Sequence, residues 1–531
     1  MRPRDEHFDV VIVGSGPGGA GAAAPLVESG VRVLMLEAGT WVPRSPANRD
    51  PGAVALLSEW FDRHAPYDAD TDGGRKPAGQ LQCVGGQSVF FGAVAFRNRA
   101  EDFAPPAEIV GTSDACWPID YSELEPWYGV AERLLCVSGT PEGDPTEPWR
   151  STSLAESAPS LTPTGHALHR AARRRGLSPF APPLAIARTP VGRPGCTACA
   201  RCDGHACSPS AKGDAATIVT SLVGSGLVLR TRAIATRLVT SDDHVVAVEY
   251  IDLRDGRRRT VRADHVVLAA GALATPHLLL ASGLQLRNPA GRAVGRYLTR
   301  HCNAVVVGAF GQAPGGGRVP YKEFAVHDFY FGHPSRPAWR RVGTIQQTSL
   351  PDAMVAREAP APLRPLVSRL LPHLMGLLVM CEDQPVATNA VSLDRSRQDA
   401  WGRPTLRITH RFTDRDRHAR AVLQREAAAI LRAAGARLTI TRSIDSFTHA
   451  LGTVRMGLDP ATSPLDAHGR FRGFANLFVS DASALPTAAA VNPALTIMAN
   501  ALRIGAHLAS TPRWLRPTVR RERWEVSHAF A

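Results

Sequence analysis

The stretch FDVVIVGSGPGGAGAAAPLVESGVRVLMLEAG, residues 8 to 39, limits what this chain can fold into more than any other. Phe8 to Val13 is a short apolar run rich in valine and isoleucine, the pattern of a buried parallel strand. Gly14, Gly16 and Gly19 follow in G-x-G-x-x-G spacing. The first permits a tight turn, the second lets backbone approach a pyrophosphate, and the third lets the next helix pack on the strand. Ala20 to Glu28 reads as a small-residue helix in which Pro25 predicts a local distortion. Its amino end offers N–H groups to phosphate. Gly30 ends it, and Val31 to Leu36 is a second strand. Glu37, 23 residues beyond Gly14, can accept hydrogen bonds from ribose hydroxyls. Strand, glycine turn, helix, strand and acid together predict a dinucleotide clamp. This stretch by itself does not separate NAD from FAD.

At 531 residues the chain is too long for one ordinary core, and two intertwined domains are expected. A net charge of +13 would ordinarily raise nucleic acid as a partner. Here the lysines are only Lys76, Lys212 and Lys322, and the arginines are scattered, which points to compositional bias rather than a binding stripe. The exception is the basic tail around Trp514 and Trp524, read as a solvated extension. The first strand starts directly after MRPRDEH, so no signal sequence is expected. The apolar run near Leu370 to Met380 is too short to span a bilayer. Nine cysteines in a chain of this length do not make a disulfide framework, so a cytoplasmic enzyme is expected.

Further along, GQLQCVGGQSVFFGAVAFRNRAEDF (79 to 103) carries the pair Gly85-Gly86, where backbone comes close to something. Residues 117 to 139 contain a helix closing on Gly139, and 166 to 175 look helical and basic. Residues 140 to 165 are rich in Pro, Ser, Thr and Glu, a crossing between domains. Residues 227 to 252 alternate like strands. VVLAAGALATPHLLLASG (266 to 283) is a second strand, glycine turn and helix, so the nucleotide-binding domain resumes there. NAVVVGAF, RRVGTIQQT and NAVSLD, between 301 and 412, predict an antiparallel sheet. Residues 414 to 434 form a helix ended by Gly435. The C-terminal part reads HALGTVRMG and then NLFVSDASALPTAAAVNPALTIMANA.

This ordered set of segments resembles the glucose-methanol-choline (GMC) oxidoreductases, a family of FAD-dependent enzymes, over nearly the whole chain. The resemblance implies FAD, because in that family the C-terminal segment completes the clamp. It implies an α/β fold: a Rossmann-like FAD-binding domain with a parallel sheet (1–140, 205–300 and 445–512) and an interleaved α+β substrate domain with an antiparallel sheet (141–204 and 301–444), followed by the tail 513–531. It places Gly14, Gly16, Gly19, Glu37, Gly85, Gly86, Ser88, Gly92, Ala235, Asp481, Ala482, Asn492 and Pro493 at the cofactor. Asn492-Pro493 starts a helix whose amino end would face the flavin N1–C2 edge and stabilise negative charge there.

By the same resemblance His449 is the catalytic histidine and Asn492 the second polar residue. The implied chemistry is oxidation of an alcohol to aldehyde or ketone. His449 takes the hydroxyl proton, Asn492 holds the oxygen, and hydride passes to flavin N5. His301, His410 and His418 lack a motif and read as structural. Phe90 stands where some members carry a histidine bonded covalently to the flavin, so FAD without a covalent link is expected. Phe91 stands where many carry an Asn near the flavin. A lyase that keeps FAD structurally and an electron-transfer flavoprotein are the alternatives, and a NAD dehydrogenase would leave the C-terminal motifs unexplained. Arg340, Arg341, Gln346 and Gln347 favour a sugar or other hydroxylated metabolite. The run Leu366 to Met380 reads as core. Oxygen or another acceptor would reoxidise the flavin. Cys196, Cys199, Cys202 and Cys207, in C-x2-C-x2-C-x4-C, leave an iron–sulfur cluster, zinc, and thiols or disulfides without metal all open, with no metal favoured. Lys212 and its neighbours fit a family pattern, with no physical role legible in the sequence.

Overall fold

The long strand Arg257–Leu268 organises the molecule by pairing three ways. It lies parallel to His7–Val13 on one side. On the other, its first half pairs antiparallel with His244–Asp252, while Val266 to Leu268 pair parallel with Leu477–Val479. Val33–Leu36 and Val228–Arg230 extend the sheet beyond His7–Val13, and Ala233–Ser241 closes the opposite edge. Val10, Val11 and Ile12 are wholly buried, as their unbroken apolar run requires. The carboxyl ends of three parallel strands thus end together, and Gly14, Ala269 and Ser480 leave them at one level. A crevice outside the carboxyl ends of such strands is where open α/β sheets bind ligands. This computed structural model describes residues 6–45, 67–78, 81–190, 192–199, 202–314, 322–348 and 360–510, so the basic tail 513–531 lies outside the described residues.

The glycine turn leads into helix Pro17–Glu28, with Pro17 in its first turn. The helix continues through Pro25, the position where the sequence predicts a local distortion. The ring sits near the carboxyl end, where it removes one hydrogen bond shortly before the helix stops. This helix crosses the C-terminal helix Ala494–Ala509 at very short range. A Cβ on Gly21 would stand 2.9 Å from the Ala501 side chain, and one on Gly505 would run into the Ala22 carbonyl.

A second sheet is antiparallel, as the alternating stretches predict. Its order is Ala325–Val326, Thr344–Thr348, Leu374–Met380, Ala304–Ala309, Leu438–Ser443. Helix Asp414–Ala433 covers it, burying Leu423, Ile430 and Leu431 against Val306, Leu377 and Val379. A capping box starts that helix: the Thr413 hydroxyl accepts from the Asp416 N–H, and the Asp416 carboxylate accepts from the Thr413 N–H. A third sheet joins Ala390–Gln398 and Pro404–Thr409 to the hairpin Tyr67–Ala78. That hairpin falls within the 1–140 segment of the expected cofactor domain, yet its partner strands belong to 301–444.

Two other expectations are corrected. Helix Tyr121–Leu135 stops before Gly139, because Cys136 takes the left-handed conformation (φ 50°) and turns the chain. The run Leu366 to Met380 is core only in its second half. Leu374–Met380 is a strand of the antiparallel sheet, whereas Leu366 and Leu370 are exposed on the helix Arg364–Leu370. No helix among the described residues is long and apolar enough to cross a membrane.

Candidate active site

A cavity of about 430 Å³ opens at the carboxyl ends of the parallel strands. Gly14, Gly16, Glu37, Gly86, Ser88, Gly92, Ala235, His449, Asp481, Ala482, Asn492 and Pro493 all line it, although they come from opposite ends of the chain. Of the anticipated set, only Gly19 and Gly85 stand behind the wall. A Cβ on Gly19 would strike the Gly14 carbonyl, and one on Gly85 would lie 2.5 Å from the Ala216 nitrogen.

The residues present fit FAD. A Cβ on Gly16 would meet nothing within 4 Å, and no side chain caps the helix that Gly16 begins, so its first N–H groups remain available to a pyrophosphate. Glu37 is anchored rather than free. One oxygen accepts the Ser15 N–H (3.1 Å) and hydroxyl (2.5 Å), and the other accepts the Gly39 N–H (2.8 Å). Burial pushes its carboxyl pKa up, against those hydrogen bonds. Ser15 also receives the Gly85 N–H at 3.1 Å, which ties the second glycine segment to the first. Asp481 lines the cavity, but its carboxylate is committed to the Gly271 N–H (2.8 Å), the Thr275 hydroxyl (2.5 Å) and the N–H and hydroxyl of Ser483. It holds the two motif turns together, leaving its backbone for a ligand. The Ser88 hydroxyl is likewise committed, to the Gly85 carbonyl. The Ala235 carbonyl accepts from Arg403 at 3.1 Å.

His449 sits half-buried in the wall, with its Nδ1 3.1 Å from Nδ1 of His301. Burial first, then His301 and Lys322, depress its pKa to about 3, so the ring is neutral at pH 7. Asn492 lines the same cavity, and its Oδ1 accepts the Gln346 amide N–H at 3.0 Å. That bond turns the Asn492 NH2 group away as a donor. The loop leading to Asn492 is gripped from several sides. Glu382 accepts the Ala489 N–H (2.9 Å), Tyr330 the Ala490 N–H (3.3 Å), and the Thr344 hydroxyl donates to the Ala490 carbonyl (2.9 Å). Burial, with Asp102 adding to it, raises the Glu382 pKa to about 8.

Several functional neighbours were not legible in the sequence. Asp203, inside the cysteine-rich segment, lines the cavity and pairs with Lys322 at 2.9 Å. Lys212 acquires a physical role. Its buried ammonium donates to the carbonyls of Phe91 (2.9 Å), Cys202 (3.0 Å) and His205 (2.8 Å), binding the cysteine loop to the Phe90–Phe91 segment, both of whose rings line the cavity. Lys212→Met leaves three buried carbonyls short of a donor. It is expected to destabilise the protein by about 3 kcal/mol, read as a lower melting temperature. The cysteines 196, 199, 202 and 207 are not joined in disulfides, and no group of three or more His, Cys, Asp or Glu among the described residues is arranged to hold a metal ion. Arg340, Arg341 and Gln347 do not line the cavity. Arg341 is buried against the Glu101 carbonyl, and Gln347 accepts the Glu323 N–H. Gln346 reaches the cavity only through Asn492.

Comparison with known proteins agrees with this geometry. Residues 73–303 and 385–501 match the amino- and carboxyl-terminal models of the GMC oxidoreductases. The chain is 32% identical to paromamine 6'-oxidase of Streptomyces fradiae, over 94% of this chain and 91% of that one. It is 30% identical to 2-methyl-1,2-propanediol dehydrogenase of Mycolicibacterium austroafricanum, over 96% of each. Among solved structures, pyridoxine 4-oxidase from Mesorbium loti superposes with a TM-score of 0.67 at 21% identity, covering 94% of this chain and 99% of that one, a likeness of fold. The chain therefore belongs to the GMC oxidoreductase family and is an FAD-dependent oxidoreductase acting on alcohols.

Proposed function

We propose that the protein oxidises a hydroxyl group of a sugar or glycosylated small metabolite, with His449 as the base and Asn492 as the oxygen-holding donor. The observation that carries this reading is that both line the same cavity and each is held by a second side chain that does not line it, His301 and Gln346. With a pKa of about 3, His449 does not retain the proton: it shares the hydroxyl proton as the hydride leaves and then gives it up to solvent, which its half-buried ring reaches. The Asn492 NH2 group donates to the substrate oxygen as negative charge grows there. The amino end of helix Ala494–Ala509, with Ala494 in the cavity wall, adds the positive end of its dipole. Bound FAD supplies the hydride acceptor. Gly14, Gly16, Glu37, Gly86 and the backbone of Asp481 and Ala482 would hold it, and Phe90 offers no group for a covalent bond to it. The cofactor-binding unit is assigned to 1–140, 205–300 and 445–512, the substrate unit to 141–204 and 301–444, with the hairpin Tyr67–Ala78 bridging to the latter.

The substrate class rests on the relatives and on one feature of the wall. The relatives include proteins named for paromamine, 6'''-hydroxyparomomycin C and C-glycosides. Asp203, paired with Lys322, puts an acidic group in the cavity lining, which also includes Phe90, Phe91 and Phe447, and this mixed polar and aromatic character suits hydroxyl- or ammonium-bearing rings. The experiment is an anaerobic absorbance titration with paromamine, a C-glycoside and 2-methyl-1,2-propanediol, with iron assayed on the same sample. Bleaching of the flavin bands is expected with a sugar alcohol. Flavin that no alcohol bleaches would turn the reading towards a lyase with structural FAD. Asn492→Ala is expected to lower kcat/KM by about 100-fold, measured as the rate of that bleaching.

A further inference from the structure

His301 bears no motif and reads from the sequence as a structural histidine, yet it is the group that touches His449. Its Nε2 lies 3.2 Å and 3.0 Å from two backbone carbonyls, those of Ala488 and Ala489. A carbonyl oxygen only accepts, so Nε2 of His301 carries the hydrogen. Burial keeps His301 neutral by lowering its pKa, so its Nδ1 is a lone pair. Facing it at 3.1 Å is Nδ1 of His449, which must therefore be the donor. The hydrogen of neutral His449 is then on Nδ1, and Nε2 is left as the basic nitrogen.

The backbone supports the same arrangement. His301 adopts a left-handed conformation (φ 61°), uncommon for a residue with a side chain. The Asp383 carboxylate holds it there, accepting the N–H groups of both Arg300 and His301 at 2.9 Å. His410 stands 3.3 Å from that carboxylate, and its other ring nitrogen accepts from Arg300 at 3.1 Å. Both carbonyls that receive His301 belong to the loop that delivers Asn492, so one imidazole ties the base to the loop of the oxygen-holding residue.

We propose that His301 is a positioning residue: it fixes the tautomer of His449 so that the Nε2 lone pair faces the substrate, and Asp383 locks His301 in place. This rests on the reading of His449 as the base. The charged and titratable groups that face the pair are Lys322 towards His449 and Asp383, with His410 and Arg300 behind it, towards His301.

The test uses FAD-loaded enzyme labelled with 15N in its histidines. The His449 resonances, identified by their loss in His449→Ala, are expected to show a hydrogen on Nδ1 and none on Nε2 at pH 7.5. In His301→Ala that preference should be lost. With the alcohol that bleaches the flavin fastest, kcat/KM should fall about 10- to 100-fold with little change in KM. The acid limb of the pH profile should move up, because the emptied site admits water and lets His449 hold a proton more easily. His301→Gln restores an acceptor for the Nδ1 hydrogen and should recover most of the loss. Hydrogen on Nε2 of His449 in the wild type would overturn the proposal. So would an unchanged kcat/KM in His301→Ala, or a Gln variant no better than Ala. The two readings fail separately. If His449→Ala bleaches normally, the base assignment falls and this proposal with it. If His449→Ala is inactive while His301→Ala behaves as wild type, only this proposal falls.

Discussion

His449→Ala should retain its FAD and lose about three orders of magnitude in kcat, the contribution of a well-placed proton-transferring group. Retention of FAD is expected because the proposed pyrophosphate and ribose contacts are assigned to Gly14, Gly16 and Glu37 rather than to His449. The pH dependence carries the sharper signature. An ordinary histidine base loses activity below about pH 6.5. Burial lowers the His449 pKa to about 3, so its neutral form persists well below that. The acid limb attributable to His449 should therefore lie near pH 3 to 4. Stability is expected to fall over the same range. The unfolded chain binds protons at His449 from about pH 6.5 downward, while the folded chain does not until about pH 3. Lowering the pH through that window favours unfolding, and His277, depressed to about 4 by burial and Arg403, acts in the same direction. A profile that is flat until the protein unfolds is the expected result. A clean limb at pH 6 to 7 in folded enzyme would place the base in a more exposed position than His449 occupies.

The second large effect is at Gly14. Its φ of 103° suits glycine, and a Cβ there would drive into the Ala269 carbonyl, a backbone atom that cannot swing away. Strain in the backbone contributes about 1 to 3 kcal/mol and the clash about as much again. A domain stable by only 5 to 15 kcal/mol tolerates that poorly. Gly14→Val is expected to yield little folded protein and no flavin absorbance. Gly16→Ala is the control, since its Cβ meets no protein atom and projects into open space. That variant should fold with a near-normal circular dichroism spectrum and lose FAD on dialysis. If both variants behave alike, the first glycine is not what sets the turn.

These two residues also mark where the sequence is legible. Gly14, Gly16 and Glu37 announce themselves because strand, turn, helix and acid are successive along the chain, so local spacing carries the message. Helix Asp414–Ala433 is readable for the same reason, with its cap at one end and Gly435 past the other. His301 is not, because what gives it a role is a contact with a residue 148 positions away. Asp203 and Lys322 are likewise brought together only by the fold, and an isolated Asp or Lys in a loop has no periodicity to betray it. Arg341 and Gln347 mislead in the opposite sense. Polar side chains among strands suggest a hydroxyl-binding surface, but here they satisfy buried backbone groups. Leu366 and Leu370 mislead because an apolar run does not say which of its residues meets a partner.

The crossing of Pro17–Glu28 with Ala494–Ala509 has a consequence for the order of events on the ribosome. The helix nearest the amino end of the described residues packs against the last helix described, with Gly21 close to Ala501 and Met498 and Gly505 against the Ala22 backbone. The glycine-turn clamp therefore waits, with its apolar strands made but its neighbour missing, until residues 494–509 have emerged, more than 460 residues later. At elongation speeds of about 5 to 20 residues per second that is a delay on the order of half a minute to a minute and a half. During it Val10 to Ile12 depend on partial packing or on chaperones for cover. Cofactor capture then follows the synthesis of residues 494–509, and a nascent chain halted before residue 494 is expected to carry the glycine signature without the ability to retain flavin.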